Sequence, residues 1–149
     1  MDDPKASLNA ALKDAMKSKD DKRRDVIRLV LSAVKQVEID TRQTLSVDDV
    51  MAIVQKEAKK RRESIDEAVK VGRTEIADSE KFELSVIEEF LPRQLSADEV
   101  KAIAQEVIAQ VGATSGKDIP KVMGPIMARV KGIADGKLVN QVVRDLLNG

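Results

Sequence analysis

Cysteine, histidine, tryptophan and tyrosine are missing from this chain, and the only aromatic residues are Phe82 and Phe90. Those gaps exclude whole classes of chemistry. A thiol nucleophile, an imidazole acid/base pair, a Ser-His-Asp triad and a Cys/His zinc site each need a residue type that is not here. No disulfide framework can form, and a surface that stacks on unpaired bases lacks its aromatic platforms. An excess of one charge is also missing: 26 Lys and Arg are balanced by 26 Asp and Glu, so any anion binding must come from a local patch and not from a whole-molecule field. No stretch approaches the roughly 20 apolar residues that span a bilayer, and the opening residues, MDDPKASLNAALKDAMKSKDD, lack an apolar block. These features predict a cytoplasmic protein that does not enter membranes.

What is present is aliphatic and charged. Of 149 residues, 42% are hydrophobic and 35% charged, a composition that folds. With so few aromatics the core must be built from Val, Ile, Leu, Met and Ala. Apolar residues recur at steps of three and four, and no run shows the strict alternation of a half-buried strand. The chain is therefore read as all-α.

Local signals place the helices. Asp3-Pro4 starts a first helix, with Leu8, Leu12 and Met16 on one face, that stops near Ser18. A second begins at Asp20 or Asp21 and runs to about Ile39, carrying Ile27, Val30, Val34 and Val37, with Val26, Leu29 and Ala33 widening the stripe. Ser46 and the acidic pair Asp48 and Asp49 open a third helix whose Val47, Val50, Val54, Ala58, Ile65 and Val69 run on until Gly72. At about 1.5 Å per residue it is roughly 37 Å long, which calls for a long partner and so for a helical hairpin. The fourth helix starts near Thr74, buries Ile76, Leu84, Ile87 and Leu91, and is stopped by Pro92.

Leu91-Pro92-Arg93-Gln94-Leu95 then divides the chain into an N-terminal bundle of about four helices, residues 1–92, and a small three-helix module, residues 93–149. In the second part Ser96-Ala97-Asp98-Glu99 is a capping box. Val100, Ile103, Val107, Ile108 and Val111 form the next apolar face, closed by Gly112. Two more helices follow, from about Lys117 to Val130 and from about Gly136 to Leu147.

Three features are candidates for function. Lys56, Lys59, Lys60, Arg61 and Arg62 form a basic run that is either a phosphate-binding face or, with Glu57, Glu63, Asp66 and Glu67, an ion-paired solvated helix. The carboxylate pairs Asp48/Asp49 and Glu88/Glu89 read as helix caps and surface charge rather than as acid/base or metal sites. Most informative is the segment from Lys121 to Leu147. Gly124 and Pro125 lie inside a helical pattern, where they cost about 1 and about 3 kcal/mol, and Gly124, Ala128 and Gly132 recur four apart. Such a strip admits either a packed helix or a sugar-phosphate backbone. Residues 112–149 hold six basic against three acidic side chains, whereas residues 1–92 hold 18 against 20.

The run Lys121-Val122-Met123-Gly124, then Met127, Lys131-Gly132, Ala134-Asp135-Gly136 and Val139-Asn140, closely resembles the signature of the GatB/YqeY family. Val26-Ile27-Arg28, Gly72-Arg73, Leu91-Pro92-Arg93-Gln94-Leu95 and Val111-Gly112-Ala113 extend the resemblance over essentially the full chain. It implies an N-terminal helical domain followed by a tail domain like that at the C-terminus of the GatB subunit of tRNA-dependent amidotransferases. In that larger enzyme the tail is associated with engaging tRNA, and the glutaminase, kinase and transamidation chemistry lies elsewhere. The cradle-like catalytic domain has no counterpart here.

By this resemblance RNA recognition falls on Lys121, Gly124, Lys131, Gly132, Lys137, Asn140 and Arg144. The cations would contact phosphates, the glycines would let the backbone approach, and Asn140 would either recognise a polar group or hold a turn. Asp135 reads as the cap of the last helix. The expectation is a monomer with no catalytic residue, metal or cofactor, which does not catalyse a reaction alone. It binds tRNA or a tRNA-bound enzyme, and neither DNA nor membrane. The alternatives are an accessory to a carbon-nitrogen ligase that uses glutamine as amido donor, and a protein-interaction module.

Overall fold

The computed structural model describes residues 3–148, and among them 3₁₀ and α-helices are the only regular elements. The all-α reading holds. Two compact units divide the chain, Met1–Leu91 and Pro92–Gly149.

The first unit contains α1 (Pro4–Lys17), α2 (Asp21–Thr41), α3 (Val47–Lys70) and α4 (Thr74–Glu88). Each start has a local cause. The Asp3 carboxylate accepts the Lys5 and Ala6 N–H groups ahead of Pro4, and Asp20 accepts from Arg23. At α3 the Ser46 hydroxyl accepts the Asp49 N–H at 3.1 Å while Asp49 accepts the Ser46 N–H at 3.3 Å, so two otherwise orphaned donors are satisfied. Gly72, at φ +74°, makes the tight turn between α3 and α4, which pair more extensively than any other two helices. The core consists of Leu8 from α1, Val26, Ile27, Val30 and Val34 from α2, Val50, Val54 and Ala58 from α3, and Val86 and Ile87 from α4. Burying each of the valine, leucine and isoleucine side chains stabilises the unit by about 1.5–3 kcal/mol before entropy is counted.

Several residues expected inside are outside. Met16, Leu29, Val69 and Ile76 are all about half exposed. Leu29 lies more than a quarter turn from the middle of the stripe that α2 buries, so its apolarity widens the pattern without widening the contact. Val69 and Ile76 flank the α3–α4 turn, where the hairpin outruns the other helices. On α3 the charged Glu57 is buried, and Arg61, one turn on, is nearly so.

The second unit contains α5 (Ala97–Val111), a single 3₁₀ turn at Gly116–Asp118, α6 (Ile119–Val130) and α7 (Gly136–Asn148). Ser96 and Glu99 form the expected capping box, and Gly112 closes α5 at φ +70°. Val100, Ala104 and Val107 of α5 meet Val122, Ile126 and Val130 of α6 and Val139 and Val143 of α7 in one aliphatic core. Val111 is the exception on α5, exposed at its last turn. The entry segment is stitched to the α6–α7 connection: the Leu95 N–H donates to Ile133 O at 2.7 Å, and Gln94 Nε2 donates to Gly132 O at 3.2 Å.

Candidate nucleic-acid interface on the C-terminal unit

The core of this unit uses one side of each helix, so the remaining sides face solvent. On α6 the buried positions are Val122, Ile126 and Val130, whereas Lys121, Gly124, Pro125 and Ala128 are exposed. Spacings of three and four place these exposed residues on a single stripe. Gly124 leaves it flat: a Cβ built there would meet nothing within 4 Å. The small-residue strip is therefore not a seat for another helix of this unit. Pro125 adds a polar feature, because its missing N–H leaves the Lys121 carbonyl without its usual helical donor.

On α7 the same spacing aligns Lys137, Asn140 and Arg144, with Lys137 and Arg144 exposed and Asn140 half-buried. Among the described residues the Asn140 side chain makes no hydrogen bond, so it does not hold a turn. Between the helices stand Lys131, exposed, and Gly132, whose φ of +80° favours glycine and whose carbonyl accepts from Gln94. The seven candidate residues thus lie on one stripe of α6, on one stripe of α7 and in the connection between them. Asp135 precedes α7, and its carbonyl accepts the Val139 N–H at 3.1 Å.

The acids of this unit are largely occupied. Asp118 accepts the Thr114 N–H at 2.9 Å, a bond that holds its carboxyl below the ordinary value, and it lies 3.8 Å from Lys121. Asp145 accepts from Gln141 at 3.0 Å. Of the cations, Arg129 is paired with Glu106 at 2.8 Å, whereas Lys131 and Arg144 have no ion-pair partner among the described residues. Such a surface offers charged donors, which suits phosphate.

The other basic candidate is committed differently. Arg61, only 13% exposed, points into the α3–α4 hairpin toward Glu57 at 3.3 Å, Glu83 at 3.5 Å and Glu80 at 3.8 Å. Lys60 pairs with Glu57 at 3.1 Å and Arg62 with Glu88 at 3.8 Å. Three of the five basic side chains are thus engaged in ion pairs within the unit. Burial, then the neighbouring Glu83 charge, push the Glu80 carboxyl above its ordinary value, and Arg61 only partly opposes them. The sequence showed the Glu57 to Arg61 spacing, but nothing in it signalled that the pair faces inward. Three of the four paired carboxylates are engaged too: Asp49 caps α3, Glu88 holds Arg62 and Glu89 holds Arg23.

A model of Yqey-like proteins matches residues 5–147. Among curated proteins, altered inheritance of mitochondria protein 41, mitochondrial, of Eremothecium gossypii is 34% identical over 128 residues, covering 83% of this chain and 70% of that protein. The proteins of the same name from Lachancea thermotolerans and Candida glabrata are 33% and 31% identical, covering 69% and 70% of this chain and 56% and 60% of their own lengths. The chain therefore spans between about half and seven-tenths of the length of such relatives. Four of them are named as mitochondrial, which overturns the expectation of a cytoplasmic protein. That expectation rested on the lack of an apolar leader, a feature that carries no information about organellar location.

Proposed function

The chain belongs to the YqeY-like family, and from that premise we propose that its C-terminal unit is a recognition module that engages tRNA, or an enzyme holding tRNA, without catalysing a reaction itself. The observation that carries this reading is the flat, solvent-facing stripe of α6, with Gly124 open above Lys121 and beside Pro125 and Ala128. In this reading Lys121, Lys131, Lys137 and Arg144 contact phosphates. Gly124 and Gly132 let the sugar-phosphate backbone come close, and Asn140 offers its unused amide to a base or ribose.

The test is binding of fluorescently labelled total tRNA to wild type and to the Lys131→Ala/Lys137→Ala variant at low salt. Removing two phosphate contacts is expected to weaken binding by about tenfold to a hundredfold. A control variant, Lys56→Ala/Lys59→Ala on α3, is expected to bind like wild type. Equal affinity of wild type and the C-terminal variant, or no binding by either, contradicts the proposal.

A further inference from the structure

We propose that Gln94 is a positioning residue for the RNA contact: by holding the carbonyl of Gly132 it sets the path of the α6–α7 connection, and so the place from which Lys131 reaches a phosphate. The inference rests on the reading of this face as an RNA-binding surface, and adds to it a residue that lies outside α6, α7 and their connection.

Helix α6 ends at Val130 and α7 begins at Gly136, so residues 131–135 turn the chain with their polar groups outside either helix. Val130 O accepts two of them, the N–H groups of Ile133 at 2.9 Å and Ala134 at 3.1 Å. Two further carbonyls of the turn are satisfied from elsewhere. The Leu95 N–H donates to Ile133 O at 2.7 Å, and Gln94 Nε2 donates to Gly132 O at 3.2 Å. Gln94 Nε2 also donates to Pro92 O at 2.9 Å. Both partners of this amide are carbonyl oxygens, which only accept, so its nitrogen must face them and both of its N–H groups are used.

The segment that carries Gln94 is itself held. Arg93 donates twice to Glu99, at 2.9 and 2.7 Å, and Glu99 also closes the Ser96 capping box. Gln94 and Leu95 therefore reach the connection from the capped start of α5. Gly132 stands at φ +80°, a sharply turned backbone that a bond to its own carbonyl holds in place. Lys131, immediately before it, is exposed and has no ion-pair partner among the described residues, so its position is set by the backbone beneath it. A cation carried on a backbone ordered beforehand loses less freedom when it meets a phosphate.

The test is a double-mutant cycle in the full chain, with fluorescently labelled total tRNA at low salt. Gln94→Leu keeps the size of the side chain and the net charge but removes both donors, and circular dichroism at 222 nm checks that it folds. It is expected to weaken binding by about threefold to tenfold, the loss of one phosphate contact, as Lys131→Ala does. The Gln94→Leu/Lys131→Ala variant is expected to bind no more weakly than Lys131→Ala, because the two changes remove the same contact. Losses that add overturn the proposal, since Gln94 would then act without Lys131, and so does wild-type affinity in Gln94→Leu. Failure of the wild type to bind tRNA overturns the underlying reading, and the role of Gln94 with it; binding by the wild type with either of the other two results overturns the role alone. A second variant reads the contact without RNA. Gln94→Glu sets a carboxylate against two carbonyl oxygens at about pH 8, and at about pH 5 protonation, favoured by those oxygens, returns one donor. The Gly132 and Ile133 amide NMR signals of the free protein are expected to depart from wild type at the higher pH and to return toward it at the lower. Signals that match wild type at both pH values overturn the proposal whether or not Gln94→Leu folds.

Discussion

Replacing Arg61 with methionine removes the one guanidinium that faces three carboxylates while keeping most of the side chain's apolar volume. In the native hairpin Glu57, Glu80 and Glu83 surround Arg61, with Lys60 helping only at Glu57. Breaking a buried pair costs about 3–5 kcal/mol; because Glu80 and Glu83 remain a quarter exposed, the loss is expected near the lower end, about 3 kcal/mol. For a unit of this size that lowers Tm by about 12–24 °C.

The loss also has a pH signature. The Glu80 carboxyl already stands above its ordinary value of 4.5, by burial and by Glu83, so protonation favours the folded state. Its stabilising contribution is present below about pH 4.5 and fades as pH rises through the higher folded-state value. Removing Arg61 takes away the influence that lowers it, so Arg61→Met is expected to cost more at pH 8 than at pH 5. In an Arg61→Met/Glu80→Gln background that difference should shrink. With no Trp or Tyr to report by fluorescence, the assay is calorimetry with circular dichroism at both pH values. A loss below about 0.5 kcal/mol, the range of ordinary surface substitutions, or an equal loss at both pH values, would refute the reasoning.

Other outcomes follow from particular residues. Glu99 is held down to about 2 by Arg93 and by the Ser96 N–H, so its support for α5 is present above pH 4.5 and is lost as pH falls toward 2; Glu99→Gln should flatten that acid limb in a pH titration of helicity. Gly124→Ala fills open space in an exposed helix and should raise the stability of the C-terminal unit by about 0.5–1 kcal/mol, while Gly124→Leu should weaken tRNA binding without unfolding the unit. Ile126, completely buried between α5 and α7, should cost about 2–5 kcal/mol when cut to alanine, measured by urea unfolding followed at 222 nm.

The helices were legible because their ends are written locally. Asp3-Pro4, Ser46 with Asp49, Ser96 with Glu99, and Gly72 and Gly112 each satisfy or release specific backbone groups, and the boundaries fall within a few residues of them. Burial was less legible, since it depends on where a second helix stops. Val69, Ile76 and Val111 continue an apolar rhythm past the end of the contact that would cover them, and Leu29 broadens a stripe beyond its contact. The inward turn of Arg61 was hidden for a related reason: a basic run looks the same whether its middle residue faces solvent or a row of glutamates on the next helix. At the candidate interface the sequence supplied the residue types and their spacing. The open space at Gly124, and an Asn140 amide without a hydrogen bond among the described residues, required the three-dimensional arrangement.

The central claim, that α6 and α7 present a phosphate-binding face, is tested most directly by the salt dependence of tRNA binding. The logarithm of affinity plotted against the logarithm of salt concentration should be linear for wild type, and its slope should become shallower by about one for each cation removed from Lys121, Lys131, Lys137 and Arg144. A slope unchanged in the fourfold alanine variant, or an affinity insensitive to salt, would contradict it.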